Sequence, residues 1–262
     1  MRAVFEGAVG TVAMHITFAG RTDVGITRSG NEDSYLLAPE YGIFVVADGM
    51  GGHAAGAVAS GMAVRQVAQE LGCLRGLSDD EVAERMLGAI RSANCAIFRR
   101  ALSEPDMRGM GTTVTVLVLH QTRFLIGQVG DSRAYLLREG HLTQVTKDHS
   151  YVQDLMDAGY LTREQARSHR FGNVITRSVG VKDEVEPDLY EGTVQPGDLF
   201  LLASDGLTVT LENGRLAEIL SADRTPRELA DDLIAEANRQ DGRDNSTAIV
   251  VRLDAKQPIN QR

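Results

Sequence analysis

The sequence predicts an α+β fold in which two antiparallel β-sheets pack face to face with helices on the outside. Its strand-like runs follow one another with only short turns between them, which is typical of antiparallel pairing. Its helix-like segments form two separate pairs and do not alternate with single strands, so repeated βαβ units are not indicated. Because no repeat, low-complexity tract or linker divides the chain, we expect a single domain over residues 1–262.

The strand assignments rest on runs of β-branched and apolar residues. These runs predict strands over 15–25, 42–47, 112–120, 123–130, 198–204 and 246–253. Between the fourth and fifth of them, residues 132–146 predict a hairpin whose turn is Glu139-Gly140. Residues 147–180 are less regular and predict an excursion from the sheet.

The helix assignments rest on apolar residues that recur with helical spacing. This periodicity predicts helices over 54–72, 79–102, 212–221 and 226–239. Thr225 is expected as the N-cap of the last helix, with Pro226 in its first turn. The two cysteines, Cys73 and Cys95, fall in helix-like segments and are expected to be small core residues of a protein in a reducing compartment.

Composition excludes several classes of protein. The net charge is −9 and no run of Lys or Arg occurs, which argues against a nucleic-acid partner. Residues 1–15 make a poor signal peptide because Glu6 interrupts their only apolar stretch. No run approaches the ~18 apolar residues of a membrane span, so we expect a cytoplasmic protein without membrane insertion.

Four predicted strands have an aspartate at one end. Asp48, Asp131 and Asp205 follow strands, and Asp244 precedes the closing strand. Each could be an independent turn or cap residue, since Asp-Gly is a common turn dipeptide. Carboxylates brought together would repel and raise one another's pKa values, however, and one or two divalent cations would relieve that repulsion. Ligands that are all oxygen favour Mg²⁺, Mn²⁺ or Ca²⁺.

Six motifs follow one another along the chain: RTDVGITRSGNEDS (21–34), VVADGMGGHAAG (45–56), GMGTT (109–113), VGDSRAY (129–135), LASDGL (202–207) and GRDNSTAIVV (242–251). In this order they resemble the motifs of the metal-dependent protein phosphatase 2C family in its bacterial form. The likeness extends over about residues 15–253. It implies a four-layer α-β-β-α sandwich of two antiparallel sheets flanked by helix pairs, with a flap at about 147–180. It also implies hydrolysis of phosphoserine and phosphothreonine on proteins.

The resemblance further implies which residues bind two tightly held Mn²⁺ or Mg²⁺ ions. Asp48 matches the carboxylate that bridges both ions, Gly49 supplies a backbone carbonyl, and Asp205 and Asp244 complete the direct ligands. Glu32 and Asp33 match carboxylates that act largely through bound water.

Other positions match family residues with weaker or different roles. Asp131, together with Asp205, resembles the ligand of a third and weaker ion, and Ser168 matches a flap residue that can approach that ion. Arg28 matches the arginine that grips the phosphoryl group. The chemistry agrees, because two hard cations can hold a water between them for in-line attack while an arginine fork binds phosphate oxygens.

The proton donor to the leaving group is left open by the sequence. Animal members of the family carry a histidine directly after the Asp-Gly, and here that position is Met50. The remaining candidates are His53, at the start of an Ala-rich helix where it could instead cap or pack, and a water bound to the metals.

The expected partners are phosphorylated proteins, including a Ser/Thr kinase and its substrates, and we expect a monomer. Two alternatives share the fold. A phosphatase dedicated to a regulator of the anti-sigma-antagonist type often carries a sensor domain, for which this length leaves no room. An inactive phosphoprotein-binding scaffold is expected to have lost a metal aspartate or Arg28, and this sequence retains them.

Overall fold

The strands and helices are those of a computed structural model that describes residues 2–9, 12–52 and 54–255. In chain order the strands are β1 (Arg2–Val9), β2 (Val12–Asp23), β3 (Asp33–Ala38), β4 (Ile43–Met50), β5 (Gly111–Thr112), β6 (Val114–His120), β7 (Arg123–Val129), β8 (Arg133–Arg138), β9 (His141–Gln144), β10 (Asp188–Thr193), β11 (Leu199–Ala203) and β12 (Ser246–Ala255). The helices are α1 (Ala54–Leu71), α2 (Asp79–Ser103), α3 (Tyr151–Asp157), α4 (Arg163–Arg167), α5 (Asp205–Thr208), α6 (Asn213–Leu220) and α7 (Pro226–Gln240).

The strands pair into two antiparallel sheets. The first has the order β1-β2-β12-β11-β8-β9, and the second has the order β10-β7-β6-β4-β3, with β5 paired to the end of β4. Helices α1 and α2 pack on the second sheet, and α6 and α7 pack on the first. The predicted α+β class and its α-β-β-α layers are confirmed.

Alternation along β4 shows how each sheet serves two layers of apolar core. Phe44 and Val46 pack between the sheets, where they share a buried cluster with Phe200 of β11. Their neighbours Ile43 and Val45 face the other way and pack under α1 and α2. This division follows from the two-residue side-chain period of a strand. Both faces are apolar because the sheet is covered on both sides.

Local turn and cap predictions are confirmed. Glu139 and Gly140 have φ angles of 50° and 79°, and positive φ at both central residues is the conformation that a two-residue hairpin turn requires. Helix α7 begins at Pro226, and the Thr225 hydroxyl accepts a hydrogen bond from the Glu228 amide at 3.3 Å.

Several short elements lie outside the predicted ones. Strands β1, β3 and β10 and helices α3, α4 and α5 were not predicted from the sequence pattern. Strand β10 alternates half-buried and exposed residues at the edge of its sheet, so it presents no apolar run. Helices α3 and α4 each span two turns or fewer and lie within 147–180, the segment that we call the flap.

The prediction that the two cysteines are core residues is wrong. Cys73 and Cys95 are both exposed. Cys73 lies beyond the last residue of α1, in the turn that leads to α2. Cys95 is on α2 but stands two residues from both Ala93 and Ile97, which places it about 200° around the helix from that buried face.

Candidate active site

The antiparallel register brings the strand-end aspartates to one end of the sandwich. Asp33 of β3 lies directly opposite Asp48 of β4. Asp205 follows the end of β11, and Asp244 precedes the start of β12, which pairs with β11. Ends of antiparallel neighbours coincide, so residues distant in sequence converge here.

A cleft of about 860 Å³ opens at this end of the sandwich. Its lining includes the predicted site residues Arg28, Glu32, Asp48, Gly49, Asp205 and Asp244. A second pocket of about 290 Å³ adjoins it and contains Asp131. Asp205 and Asn173 line both spaces, so the Asp131 pocket is continuous with the cleft around these two residues.

The aspartates perturb one another strongly. Burial, followed by the charges of Asp33, Asp205 and Asp131, raises the pKa of Asp48 well above its ordinary range. Burial and then the charge of Asp205 do the same to the pKa of Asp131. Burial and then Asp244 raise the pKa of Asp205. The cluster therefore resists full ionisation unless positive charge is supplied.

Asp33 links the two sheets beneath this cluster. Its Oδ2 accepts hydrogen bonds from the hydroxyls of Ser204 (2.8 Å) and Thr247 (2.6 Å). Ser204 directly follows β11 and Thr247 lies in β12, so both belong to the first sheet. Its Oδ1 is buried and has no hydrogen-bonding partner among the described residues. Burial, opposed by these two hydrogen bonds and reinforced by Asp205 and Asp244, raises the pKa of Asp33 to about 7. Asp33 is thus a structural link between the sheets, and its remaining oxygen has no protein partner among the described residues.

Glycines allow the backbone to close around Glu32. The Gly49 amide donates to the Glu32 carbonyl at 3.2 Å, and a Cβ on Gly49 would overlap the carbonyl oxygens of Glu32 and Gly56. A Cβ on Gly56 would overlap the Glu32 carboxylate. That carboxylate therefore lies against the first turn of α1, where a negative charge is favoured by the helix dipole.

Arg28 lies at the mouth of the cleft beside Asp244. Its Nη2 donates to Asp244 Oδ2 at 2.8 Å, and about half of its side chain is exposed. The loop that carries it is tied to the Asp244 loop, since the Ile26 amide donates to the Gly242 carbonyl at 2.7 Å and the Thr27 hydroxyl donates to the Arg243 carbonyl at 2.9 Å. Arg28 is therefore held near the aspartates by backbone contacts as well as by charge.

The donor set fits a divalent cation that prefers oxygen. Within the described ranges no three His, Cys, Asp or Glu side chains form a chelating group by themselves. The charges of Asp33 and Asp205 nevertheless act on the buried Asp48 carboxyl, and the buried Oδ1 atoms of Asp33 and Asp131 have no hydrogen-bonding partner among the described residues. Carboxylate oxygens and a glycine carbonyl are ligands that Mg²⁺ and Mn²⁺ accept, and such an ion would relieve the repulsion.

Sequence reasoning missed the residues that hold Asp48 in place. The Thr112 hydroxyl donates to the Asp48 carbonyl at 2.8 Å, and the Thr113 hydroxyl accepts from the Asp48 amide at 2.9 Å. Asn245 plays a similar part for Glu32, whose amide donates to the Asn245 side-chain oxygen at 2.8 Å. These residues stand in the GMGTT and GRDN motifs, so their position was visible in the sequence although their role was not.

Two predicted residues remain untested by this geometry. Ser168 is exposed at the end of α4, and its hydroxyl donates to the Gln165 carbonyl at 3.4 Å, so its approach to a third ion stays a prediction. His53 lies outside the described residues.

Comparison with known sequences identifies the family to which the chain belongs. The family model described as Protein phosphatase 2C matches residues 28–241. The chain belongs to this family. The serine/threonine phosphatase Stp of Listeria monocytogenes serovar 1/2a is 40% identical over 250 residues, which are 93% of this chain and 98% of that protein. The serine/threonine protein phosphatase PstP of Mycobacterium tuberculosis is 40% identical over 243 residues, 91% of this chain and 45% of that longer protein.

Solved structures of bacterial members have the same fold. The crystal structure of M. tuberculosis PstP matches with a TM-score of 0.85 at 39% identity and covers 91% of this chain and 99% of that one. A PstP catalytic domain in complex with two manganese ions matches with a TM-score of 0.83 at 37% identity and covers 92% of this chain and all of that one. At this similarity the chain is an enzyme, a protein-serine/threonine phosphatase of the 2C type.

Proposed function

We propose that this phosphatase hydrolyses phosphoserine and phosphothreonine on proteins with two Mn²⁺ or Mg²⁺ ions held by Asp48, the Gly49 carbonyl, Asp205 and Asp244. The observation that carries the proposal is the cluster of buried carboxyl groups at the cleft. Burial and then the charges of Asp33 and Asp205 raise the pKa of Asp48, and burial and then Asp244 raise that of Asp205, so the site is short of positive charge. The manganese-bound PstP relative supports a pair of ions. When bound, such ions activate water as a nucleophile and neutralise phosphoryl charge.

The side chains of this protein then perform two tasks. Asp48 and Asp205 would hold the ions with ionised carboxylates, because bound cations offset the repulsion that raises their pKa values. Arg28 binds the phosphoryl oxygens at the cleft mouth. Since a guanidinium has five N–H donors and one of them is bonded to Asp244, Arg28 can bind Asp244 and a phosphate together. Asp244 thereby orients the arginine.

Asp131 and Asp205 are proposed to hold a third and weaker ion, with Ser168 able to approach it. The support is that both aspartates line the smaller pocket and that Asp205 raises the pKa of Asp131. Glu32 and Asp33 are proposed to act through water on the two tight ions.

We further propose that the whole chain, 1–262, works as one cytoplasmic, monomeric phosphatase domain. It would oppose Ser/Thr kinases by dephosphorylating a kinase itself and the proteins that the kinase phosphorylates. Across 2–9, 12–52 and 54–255, no helix is both long enough and apolar enough for a bilayer crossing.

The test is phosphate release from a phosphothreonine peptide after chelation and addition of Mn²⁺, Mg²⁺ or Ca²⁺. Release that returns with Mn²⁺ or Mg²⁺ is expected, and release unaffected by chelator would overturn the metal mechanism.

A panel of unrelated phosphoproteins distinguishes a general phosphatase from the two alternatives. An enzyme dedicated to one regulator would act on a single phosphoserine protein, and a scaffold would bind phosphopeptide without releasing phosphate.

The leaving-group acid is tested with His53→Gln. A serine or threonine alkoxide needs a proton, whereas p-nitrophenolate does not, so loss of the acid affects only the phosphopeptide. We favour water as the donor and expect His53→Gln to keep activity on both substrates across pH 6–9. A selective loss on the phosphopeptide, with a flattened pH profile, would assign the role to His53.

A further inference from the structure

Both ends of the flap are bonded to backbone beside proposed metal ligands. At the first end, the His149 amide donates to the Gly130 carbonyl at 2.9 Å, and Gly130 directly precedes Asp131. At the second end, Val179 and Thr112 exchange two hydrogen bonds of 2.9 Å each. Thr112 in turn donates its hydroxyl to the Asp48 carbonyl. The two ends of the flap are therefore hydrogen-bonded to the backbone that carries Asp131 and Asp48.

The flap narrows to a two-stranded stem, formed by 149–151 and 174–176. Ser150 and Ile175 form an antiparallel bridge. The Thr176 amide donates to the His149 carbonyl at 2.8 Å, and the Tyr151 amide donates to the Val174 carbonyl at 2.8 Å. Among these stem residues, His149 is the one bonded directly to the Asp131 loop.

The His149 ring forms a further hydrogen bond between the flap stem and the loop that carries Asp131. Its Nδ1 accepts a hydrogen bond from the Gly130 amide at 3.0 Å, so Nδ1 carries no proton and the neutral ring is protonated at Nε2. Nε2 lies 3.2 Å from Asp188 Oδ2 but without the alignment of a hydrogen bond, so among the described residues the Gly130 amide is the ring's hydrogen-bonding partner. The side chain is 7% exposed, and water cannot readily replace Nδ1 as the acceptor.

Gly130 has little freedom to find another partner. Its φ is +104°, and a Cβ there would collide with the side chain of Thr113, which itself bonds the Asp48 amide. The Gly130 Cα thus lies close against Thr113 while its amide is hydrogen-bonded to His149. A buried amide that loses its acceptor is costly, so the loop would rearrange if Nδ1 were removed.

We propose that His149 is a positioning residue that couples the flap stem to Asp131, so that the weak third ion binds well only when the stem is in place. The inference rests on the proposed role of Asp131 as a ligand of that ion. His149 contacts no substrate in this scheme. It acts through the Gly130 amide, which sets the direction in which the next residue, Asp131, leaves β7.

Two substitutions of His149 by residues of similar polarity distinguish the positioning role from a role in packing alone. In His149→Asn, the amide oxygen can occupy the place of Nδ1 and accept from Gly130. In His149→Gln, the polar atoms reach the place of Nε2 and leave Gly130 without its acceptor. Hydrogen exchange at the Gly130 amide and Mn²⁺ titration by calorimetry are measured on both full-length variants, with His141→Gln on the exposed hairpin as a control.

We expect His149→Gln to speed Gly130 exchange and to weaken the weakest Mn²⁺ site about tenfold, as loss of one buried hydrogen bond implies, while the two tight sites stay unchanged. His149→Asn and His141→Gln should resemble the original protein in both measurements. Equal behaviour of the Asn and Gln variants, or a titration of the unaltered protein that ends at two ions, would overturn the inference. Gly130 exchange needs neither metal nor substrate. Failure of the proposed phosphatase reaction would therefore be seen separately, as absent phosphate release by the unaltered protein.

Discussion

The two ends of strand β11 carry acidic residues in opposite electrostatic settings. At its start, the buried Asp198 is paired with Arg138, whose Nε and Nη2 each donate to one carboxylate oxygen at 2.7 Å. Beyond its other end, Asp205 is buried, faces the charge of Asp244 and acts with its own charge on Asp48. The first carboxylate is neutralised by the protein itself. The second has other carboxyl groups as its neighbours.

The contrast teaches how to separate a structural carboxylate from a functional one. Where arginines supply the positive charge, the pKa falls, as at Glu236, where Arg239, then Gln240 and Arg215, hold it at about 2. Where carboxylates are the neighbours, burial and repulsion raise it, as at Asp33, which titrates at about 7. Carboxyl groups with pKa values raised in this way mark a candidate functional site.

The largest effect expected from this comparison is on catalysis. Asp205→Asn should lower kcat on the order of 10³-fold or more, beyond the 10–100-fold typical of a lost supporting residue, because a direct ligand is removed. The chelated variant should be at least as stable as the original protein, since one repelling charge is gone. Phosphopeptide turnover at saturating Mn²⁺ and thermal unfolding in chelator measure the two quantities.

Asp198→Asn is the matched change at the other end of the strand. It should destabilise the fold by about 2 kcal/mol, because Arg138 loses its charged partner but remains partly exposed to water. Turnover per folded molecule should be unchanged. The comparison fails if Asp205→Asn turns over substrate almost normally, or if Asp198→Asn loses activity without losing stability.

A smaller effect is expected at Asp131. Asp131→Ala should leave two Mn²⁺ ions tightly bound and slow phosphopeptide turnover by about 10–100-fold, the range of supporting residues around a metal site. Calorimetry counts the ions and phosphate release gives the rate. Loss of a tight site would instead place Asp131 in the primary centre, and the weak third site would have to be abandoned.

Local chemistry made much of the fold and site predictable. The Glu139-Gly140 turn, the Thr225 cap and the four strand-end aspartates each follow from residues close together in sequence. The contacts of Asp33 with Ser204 and Thr247, and of His149 with Gly130, join positions that only the folded chain brings together. Strand β10 escaped prediction for a related reason: its stability comes from pairing with β7 and not from its own apolar pattern.

The last expected effect is a dependence of stability on pH, with opposite signs in the two settings. The pKa of Asp33 is raised from 3.8 to about 7 in the folded, metal-free protein. Between these values the folded state keeps a proton that the unfolded chain has released. Its stabilising contribution is therefore complete below about pH 4 and is lost as the pH rises through about 7, with a slope approaching ~1.4 kcal/mol per pH unit for one such group. Glu236, with its lowered pKa of about 2, contributes stability above its ordinary pKa of 4.5 and loses it only as the pH falls further.

In chelator, stability measured by urea unfolding should thus decline from pH 5 to 7.5. Bound Mn²⁺ favours the ionised carboxylates and should remove the decline. Without metal, Asp33→Asn should make the decline shallower but not abolish it, since the pKa values of Asp48, Asp131 and Asp205 are raised as well. A chelated protein that becomes more stable over this range would show that the aspartate end is balanced from within, as the Asp198 end is.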